Sequence, residues 1–524
     1  MDAALVTRLR ADLLAAGYTV DRLRQLWGDE ADAALARGDG VPAARALNAA
    51  SSSPAATLAR LFVLGDTVTE AQLDAALPSL AAAGARELGL VDSTRRALLD
   101  LRPYSSIDGL GAVDWFIASD LGELALGTAL PPEHVLGVGG ASLTLAALIP
   151  TEPVDSVLDL GTGCGIQSLH AARHAQRVVA TDISARALDR ARLTLALNGV
   201  SATDESGRAG TATVELRQGD LFAPVGGERF DRIVSNPPFV ITPRRNGVPL
   251  YEYRDGGRVG DAIVEQVVRG AADHLTPGGT AHLLGNWEYR DELAGDGLAR
   301  VRRWIDEAGL DGWVVERERQ SPAEYAATWI RDGGTRVGTP EYDRLAAEWL
   351  DDFASRGVTS IGFGYVVLRR PSDPASPRLL RTEVLGSPLG TPVGIGDHLL
   401  ACLRAHDRTA GLDDEALGAL RLQVAPDVTE ERHYWPGDEN PTVIRLRQGG
   451  GFARTIDADA ALAGLVGASD GELTVAEIAN ALAHLLEVDE GALREQLLPH
   501  VRELLVTGLL LSPLSPGSGS PAEG

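Results

Sequence analysis

Apolar residues recur every three or four positions through the first 95 residues of the chain. Leu5, Leu9 and Leu13 fall on one face of a helix at that spacing, and later leucines repeat the pattern. Shorter apolar runs at residues 88–91 and 97–101 flank a polar turn and predict a β-hairpin. We therefore predict a mostly helical N-terminal domain over residues 1–130.

The pattern changes at residue 157, where short apolar runs bounded by glycine or proline begin to alternate with helical segments. Runs of this kind predict the buried strands of a parallel sheet. Seven are present, at residues 157–160, 177–181, 214–217, 230–235, 281–285, 313–316 and 362–369. They predict a doubly wound α/β sheet in a domain over residues 131–370, with a helical insertion at residues 322–353.

The last part of the chain has a different pattern. The segment PSDPASP at residues 371–377 predicts a linker, and residues 378–511 predict an acidic α+β domain. Within that domain, runs at residues 443–448 and 451–456 predict a hairpin. Residues 512–524 are rich in serine, proline and glycine, which predicts a disordered tail. Both flanking domains faintly resemble winged helices, and a plain helical cap is the alternative for the first.

Three glycines stand directly after the first predicted strand of the sheet. The sequence VLDLGTGCG, from Val157 onward, contains Gly161, Gly163 and Gly165 at two-residue spacing. Glycine lets the backbone bend sharply between a strand and a helix, and it lets a ligand approach the backbone without meeting a side chain. The turn predicts a ligand site, with a plain structural turn as the alternative.

Polar residues also follow three other predicted strands. Asp182 ends the second strand, 17 positions after Gly165, and a carboxylate there can accept both hydroxyls of a ribose. Asp220-Leu221 follows the third strand. The fourth strand runs directly into the motif NPPF, which is Asn236-Pro237-Pro238-Phe239. Because the carboxyl ends of parallel strands meet at one edge of a sheet, these residues are expected to share a site.

The glycine turn, the acid at Asp182, the Asp220-Leu221 pair and the NPPF motif together resemble the class I S-adenosylmethionine-dependent methyltransferases. The NPPF motif is similar to that of the branch that methylates glutamine N5 in release factors, guanine N2 in ribosomal RNA, or adenine N6. The resemblance covers residues 137–370, under half the chain, and the flanks look like those of a less characterised group in high-GC bacteria. It implies a seven-stranded Rossmann-like sheet, S-adenosylmethionine as the cofactor and no metal.

The resemblance also implies roles around the cofactor. Asp159 and the glycine turn are expected to face its methionine part, Asp182 its ribose, and Asp220-Leu221 its adenine. The full set of expected cofactor contacts is Asp159, Gly161, Gly163, Gly165, Asp182, Ile183, Asp220, Leu221 and Asn236.

The NPPF motif is expected to hold the nitrogen that receives the methyl group, which makes Asn236, Pro237, Pro238 and Phe239 the predicted catalytic residues. The amide oxygen of Asn236 and the carbonyl of Pro237 can both accept from an NH2 group and aim its lone pair at the methyl carbon. The two prolines rigidify the turn, and Phe239 offers a flat face for a base or a planar amide. A sulfonium methyl is already electrophilic, so the reaction needs chiefly positioning.

The segment at residues 240–261 lies where related enzymes place a substrate loop, and it is rich in glycine, arginine and tyrosine. It predicts acceptor contacts at Arg244, Arg245, Tyr251 or Tyr253. The alternative is that these glycines serve only to start the next helix.

The charge of the chain bears on the acceptor. The formal net charge is −25, every basic residue is arginine, and residues 373–524 hold 23 acidic residues against 11 arginines. Broad nucleic-acid binding needs clustered positive charge, so a protein acceptor is slightly favoured over RNA or DNA. Arg244, Arg245, Arg254 and Arg258 form the one compact positive group found near the motif, and they keep a nucleic-acid acceptor open.

Two other functions are weighed against methyl transfer. An NAD-dependent oxidoreductase would also use an acid at Asp182, but its fingerprint is GxGxxG, whereas this chain has GxGxG. A binding protein on a degenerate methyltransferase fold is opposed by the intact Asp159 and Asn236.

The two cysteines match no metal spacing and predict reduced thiols. The sequence shows neither a signal peptide nor a membrane-spanning run, which predicts a cytoplasmic protein; its oligomeric state stays open.

Overall fold

The structure, a computed structural model, describes residues 1–50, 52–128, 130–203, 213–245, 247–291, 297–386, 389 and 394–512. The chain forms two compact units. The first comprises residues 1–146, 152–372 and 380–384, and the second comprises residues 147–151, 373–379 and the chain from residue 385 onward. From residue 513 onward, the predicted tail lies outside the described residues.

Six described helices occupy the first 87 residues, as the helical spacing predicted. They are α1 (Ala3–Ala15), α2 (Val20–Leu35), α3 (Val41–Ala49), α4 (Pro54–Phe62), α5 (Glu70–Ala76) and α6 (Ala81–Glu87). Their apolar faces share one core, in which Leu9, Leu58 and Phe62 are fully buried. Leu193 and Leu197, from a later helix, belong to the same core, so the residues on both sides of position 130 pack together.

The predicted hairpin at residues 88–101 is present only as a short antiparallel contact. Val91 and Ala97 form an isolated bridge, and backbone amides donate from Asp92 to Arg96 and from Leu98 to Leu90, at 2.9 Å each. The Oδ1 atom of Asp92 also accepts the backbone amides of Thr94 and Arg96, at 2.8 and 3.0 Å, which closes the polar turn. A longer hairpin lies one segment later, where β1 (Asp100–Asp108) pairs with β2 (Gly111–Ser119).

The predicted doubly wound α/β fold is confirmed. Its strands are β3 (Val154–Leu160), β4 (Ala175–Asp182), β5 (Ala202–Thr203), β6 (Thr213–Gln218), β7 (Phe230–Ser235), β8 (Leu275–Arg290), β9 (Asp311–Gln320), β10 (Val358–Arg369) and β11 (Leu380–Val384). The seven predicted strands are all present, and the short strands β5 and β11 extend the two edges.

The order of the strands across the sheet is β11-β9-β10-β8-β7-β3-β4-β6-β5. Only β10 runs antiparallel to its neighbours among the described pairs. The chain runs outward from β3 through β4 and β6 and then returns to the other side of β3 at β7. This reversal opens a crevice at the carboxyl ends of β3 and β7, where doubly wound sheets bind their ligands.

Helices cover the sheet and precede its last strands. They are α7 (Glu123–Leu126), α8 (Gly140–Leu148), α9 (Ile166–Ala171), α10 (Ala185–Leu197), α11 (Ala262–His274), α12 (Ala299–Glu307), α13 (Pro322–Asp332) and α14 (Pro340–Ser355). The last two form the predicted helical insertion. Their aromatic residues Tyr325, Trp349 and Phe353 make a core with Val240 and Ile241, which directly follow the NPPF motif.

The second unit is α+β, as predicted. Its helices are α15 (Ile395–Thr409), α16 (Asp414–Gly418), α17 (Ala460–Gly467), α18 (Val475–Leu486) and α19 (Glu490–Val506). Its strands are β12 (Arg421–Val424), β13 (Val428–His433), β14 (Val443–Gln448), β15 (Thr455–Ala458), β16 (Asp470–Thr474) and β17 (Leu510–Leu511). The strands β14 and β15 pair as predicted, although β15 begins at Thr455 because Phe452 is buried and Ala453 has a positive φ of 50°. No described helix of the chain combines the length and the apolar character needed to cross a membrane.

Candidate active site

The carboxyl ends of β3, β4, β6 and β7 open into a cavity of about 960 Å³ in the first unit. This volume is near the upper end of the range for small-molecule sites. The predicted site residues that line the cavity are Asp159, Gly161, Gly163, Asp182, Ile183, Asp220, Leu221, Asn236, Pro237, Pro238 and Tyr253. The structure therefore brings together most of the residues that the motifs predicted.

The glycine turn wraps around the end of β4. The backbone amides of Gly161 and Thr162 both donate to the carbonyl of Thr181, at 2.9 Å each. Gly161, Gly163 and Gly165 all have positive φ angles, which a residue with a side chain adopts only with strain. Gly165 is not among the described lining residues, and a Cβ there would come within 3.1 Å of Ala191 on α10. The third glycine thus permits close packing between the turn and that helix.

Asp159 stabilises the turn from inside. Its Oδ2 atom accepts hydrogen bonds from the hydroxyls of Thr162 and Ser168, at 2.6 Å each, and its side chain is almost fully buried. Burial raises the pKa of Asp159 to about 6, and the two hydroxyl donors partly oppose this rise. The carboxyl group is therefore fixed in place by the turn that it supports.

Asp182 is oriented by backbone donors. The amide of Ser184 donates to Oδ1 and the amide of Gly163 donates to Oδ2, both at 2.9 Å. Burial raises the pKa of this carboxyl group above its ordinary value. Each oxygen keeps capacity for a further hydrogen bond, so the side chain can accept two neighbouring hydroxyl groups.

The NPPF motif separates into two parts. The hydroxyl of Ser235 donates to the carbonyl of Leu160 at 2.7 Å, which ties the end of β7 to the end of β3. Next to it, the Oδ1 atom of Asn236 is buried and has no hydrogen-bond partner among the described residues. Phe239 is not among the described lining residues, since its ring packs against Phe363 with 5.5 Å between ring centres. The asparagine and prolines thus lie at the cavity, and the phenylalanine packs behind them.

Of the four acceptor contacts predicted in the segment at residues 240–261, one is among the described lining residues of the cavity, although the segment also contributes Glu252, Asp255, Gly256 and Gly257. Tyr253 lines the cavity, and its Oη atom is buried without a described partner. The Oη of Tyr251 lies 3.5 Å from the carbonyl of Gly333 instead. Arg245 pairs with Glu348 at 3.2 Å.

The remaining arginines of this loop are also engaged. The Nε atom of Arg244 donates to the carbonyl of Arg258, at 3.2 Å. Arg254 pairs with Asp332 at 2.7 Å, and Arg258 pairs with Asp220 at 3.4 Å. The compact positive group seen in the sequence is therefore largely neutralised by nearby carboxylates.

Several lining residues were missed by sequence analysis because they lie outside the motifs. The hairpin β1–β2 and the segment before α8 contribute Asp100, Arg102, Asp120 and His134, and α9 contributes Gln167. Burial lowers the pKa of His134, which favours its neutral form. The one signal in the sequence is the alternation in DLRPYSSID, which places polar residues on one face of a strand.

Several buried polar atoms at this cavity have no hydrogen-bond partner among the described residues. Five lining side chains carry one without a described partner, namely Asp100, His134, Gln167, Asn236 and Tyr253. A buried polar atom without a partner is costly, so such a cluster indicates a polar ligand. The described lining also includes eight aspartate and glutamate side chains and a single arginine, which favours a ligand with positive charge.

The central part of the chain matches a family of known function. Residues 137–294 match the family described as methyltransferase small domain. The flanks match two domains of unknown function, DUF7059 at residues 15–101 and DUF7782 at residues 400–512.

Curated relatives share part of their length with the chain. The ribosomal protein uL3 glutamine methyltransferase of Bradyrhizobium diazoefficiens is 38% identical over 135 residues, covering 24% of this chain and 39% of that protein. The ribosomal RNA small subunit methyltransferase C of Escherichia coli is 34% identical over 149 residues, covering 28% of this chain and 35% of that protein. The chain thus spans less than two fifths of the length of either relative.

Solved structures of methyltransferases also align with the chain. A 16S rRNA N2 methyltransferase of T. thermophilus, in complex with AdoMet and guanosine, has 17% identity and a TM-score of 0.26, covering 52% of this chain and 50% of that one. A methyltransferase from Pyrococcus furiosus has 16% identity and a TM-score of 0.25, covering 42% and 77%.

Proposed function

We propose that the protein is an S-adenosylmethionine-dependent N-methyltransferase that acts on a planar NH2 group, since residues 137–294 match the family described as methyltransferase small domain. The observation that carries the proposal is the buried Oδ1 atom of Asn236 beside the strand-end acids, which has no hydrogen-bond partner among the described residues. An acceptor amide or amino group would supply a hydrogen-bond donor to this oxygen.

The residues present fit the cofactor. Asp182 offers two oriented oxygens to a ribose, and Asp220 and Leu221 line the part of the cavity next along the sheet edge. The acidic lining matches the positive sulfonium and ammonium groups. When bound, S-adenosylmethionine supplies an activated methyl group on a sulfonium.

Asn236 and the carbonyl of Pro237 then act on the acceptor. Both accept hydrogen bonds from one NH2 group, which holds its lone pair in line with the methyl group and stabilises the positive charge that develops on nitrogen. Phe239 was predicted to offer a stacking face to the acceptor, but its ring packs against Phe363 behind the motif, so we assign it no contact with the acceptor. Tyr253 is the residue of the acceptor loop that we assign to the acceptor side of the cavity.

A protein acceptor is favoured over a nucleic acid. The cavity lining is acidic, and Arg245, Arg254 and Arg258 are paired with carboxylates, so the phosphate backbone of a nucleic acid would be repelled near the cavity. The relatives include one named for a glutamine of a ribosomal protein and one named for ribosomal RNA, so a nucleic-acid acceptor is the alternative.

Labelled methyl transfer tests the proposal. The full chain is incubated with lysate and cofactor carrying a labelled methyl group, and the products are digested separately with protease and with nuclease. We expect label that is sensitive to protease and resistant to nuclease. The opposite sensitivity would replace the protein acceptor with a nucleic acid, and absence of any transfer by wild type, with no binding of the cofactor, would overturn the activity itself. The Asn236→Ala variant provides the background for the measurement.

A further inference from the structure

We propose that Asp100 and Arg102 of the hairpin β1–β2 bind the amino-acid end of the cofactor, with the arginine on its carboxylate and the aspartate on its ammonium group. The inference rests on the proposed function, because it requires S-adenosylmethionine as the cofactor. It makes the N-terminal hairpin a part of the cofactor site, although the hairpin lies outside the matched methyltransferase segment at residues 137–294.

The alternation of strand β1 directs the pair toward the cavity. Asp100 and Arg102 are two positions apart and share one face of the strand, whereas Leu101 is fully buried in the N-terminal core. The hydroxyl of Tyr18 donates to the carbonyl of Leu101 at 2.8 Å, which also fixes β1 to the N-terminal core. The residues opposite the pair on β2 also line the cavity, namely Ser119 and Ile117.

The hairpin is fixed to the two helices that follow the motifs. The backbone amide of Ala118 on β2 donates to the hydroxyl of Thr194 on α10, at 3.0 Å. Tyr104 Oη and His170 Nε2 are hydrogen-bonded at 3.0 Å, which joins β1 to α9. Helix α9 follows the glycine turn, and α10 follows Asp182. The pair is therefore held at a set position relative to the cofactor residues of the sheet.

The pair offers one acidic and one basic face. The Nε atom of Arg102 donates to Asp100 Oδ2 at 2.7 Å, and its two Nη atoms make no hydrogen bond with described residues. Half of the arginine side chain is accessible, at 50%. The Oδ1 atom of Asp100 is buried and unpaired among the described residues, in a side chain that is more than nine-tenths buried. The parallel N–H donors of Arg102 match the carboxylate of a ligand, and the Oδ1 atom of Asp100 matches an ammonium group.

The charges around the cavity determine which part of the cofactor this pair binds. S-adenosylmethionine has one anionic group, the carboxylate of its amino-acid end, together with a sulfonium and an ammonium cation. Arg102 is the one arginine in the described lining, against eight acidic side chains. A carboxylate placed elsewhere in the cavity would therefore meet like charge. Burial raises the pKa of Asp100 to about 6, so its carboxyl group is largely ionised at neutral pH.

Two probes that differ only in the amino-acid end test the assignment. S-adenosylhomocysteine has this end, and 5′-methylthioadenosine lacks it. We measure the affinity of both for the full chain by calorimetry, in wild type and in Arg102→Gln, Arg102→Lys and Asp100→Asn variants. We expect Arg102→Gln to weaken S-adenosylhomocysteine about tenfold or more, with Arg102→Lys intermediate, because a bidentate charged contact is lost. The affinity for 5′-methylthioadenosine should change by less than about twofold.

Arg24→Gln serves as the control, because Arg24 pairs with Asp32 on the surface of α2 and is not among the described lining residues. It should change neither affinity. An equal loss for both probes in Arg102→Gln would overturn the assignment in favour of a structural role. Unchanged affinities with a raised KM for the acceptor would overturn it in favour of an acceptor contact. If wild type bound neither probe, the proposed function itself would fall, and this assignment with it.

Discussion

The two walls of the cavity are built in different ways. We call the strand-end residues Asp159, Asp182 and Asn236 the floor. The cover consists of residues 100–105, 130–143 and 252–257. The floor lies at the ends of central strands, where position is set by the sheet, whereas the cover comes from the hairpin and from connecting segments.

The hydrogen bonds of the two walls differ as well. In the floor, Asp159 and Asp182 each accept two hydrogen bonds from hydroxyls or backbone amides nearby. In the cover, Asp100, His134 and Tyr253 each have a buried polar atom without a described partner. The fold alone therefore orients the acids of the floor, whereas the polar groups of the cover depend on the ligand for a partner. Changes in the floor should alter the whole reaction, and changes in the cover should alter recognition of one part of a ligand.

The largest expected effect comes from Asn236, the floor residue whose buried oxygen has no partner in the described part of the chain. Asn236→Ala should lower the rate of methyl transfer about 10²–10³-fold, the scale for removing one group that stabilises developing charge. Cofactor affinity should change little, because Asp182 and the glycine turn are untouched. Single-turnover kinetics measure the rate of methyl transfer, and calorimetry measures the affinity for the cofactor.

Asn286→Ala is the matched control for Asn236. Asn286 is also buried, on β8, and its Nδ2 atom donates to Tyr325 Oη at 2.5 Å outside the described lining. It should lower the melting temperature and leave transfer by the folded enzyme intact. Equal rates in Asn236→Ala and wild type would remove the proposed role of the motif.

The second effect concerns the cofactor. Asp182→Ala should weaken binding of S-adenosylhomocysteine by about 1–3 kcal/mol, since charged hydrogen bonds are lost. Asp155→Ala, at the exposed start of β3, should leave the affinity unchanged. Calorimetry on folded samples measures both, and identical affinities for the two variants would remove Asp182 from the cofactor site.

The floor could be predicted from the sequence, whereas Tyr253 is the one site residue of the cover that the sequence analysis named. Gly161, Asp182 and Asn236 each stand directly after an apolar run, so the strand pattern and the alignment of strand ends place them together. Arg102 and His134 carry no comparable signal, because their position depends on how a separate hairpin packs against α9 and α10. The placement of Phe239 and Tyr251 outside the described lining depends on tertiary packing in the same way.

The third effect is a pH dependence of stability and of ligand affinity, to which both walls of the cavity contribute. Burial raises the pKa of Asp159 in the floor and of Asp100 in the cover to about 6 each. Each of these carboxyl groups binds its proton more tightly in the folded state than in the unfolded state. This stabilises the folded protein below the pKa of the unfolded state, and the stabilisation is lost as the pH rises through about 6. The free energy of unfolding should therefore decrease between about pH 4 and pH 6. The ammonium group of S-adenosylhomocysteine favours the ionised acids, so the affinity for this ligand should rise about tenfold over the same range and beyond, to neutral pH.

Calorimetry at several pH values, with chemical unfolding alongside, checks this dependence. Asp100→Asn should make the rise in affinity shallower while the contribution of Asp159 remains. A flat profile in wild type would contradict the involvement of both acids in cofactor binding.

The smallest expected effect compares two tyrosines of one loop. Tyr253 lines the cover, and its buried Oη atom has no partner among the described residues. The Oη of Tyr251 lies 3.5 Å from the carbonyl of Gly333, and its ring packs under Arg254. If the acceptor bonds to the Tyr253 hydroxyl, Tyr253→Phe should raise the KM for the acceptor severalfold, which corresponds to about 1 kcal/mol of binding free energy, and leave the stability of the protein unchanged or slightly increased. Tyr251→Phe should leave KM unchanged and lower stability slightly. Steady-state kinetics and thermal unfolding separate these outcomes, and a reversal of the two patterns would place Tyr251, and not Tyr253, on the acceptor side of the cavity.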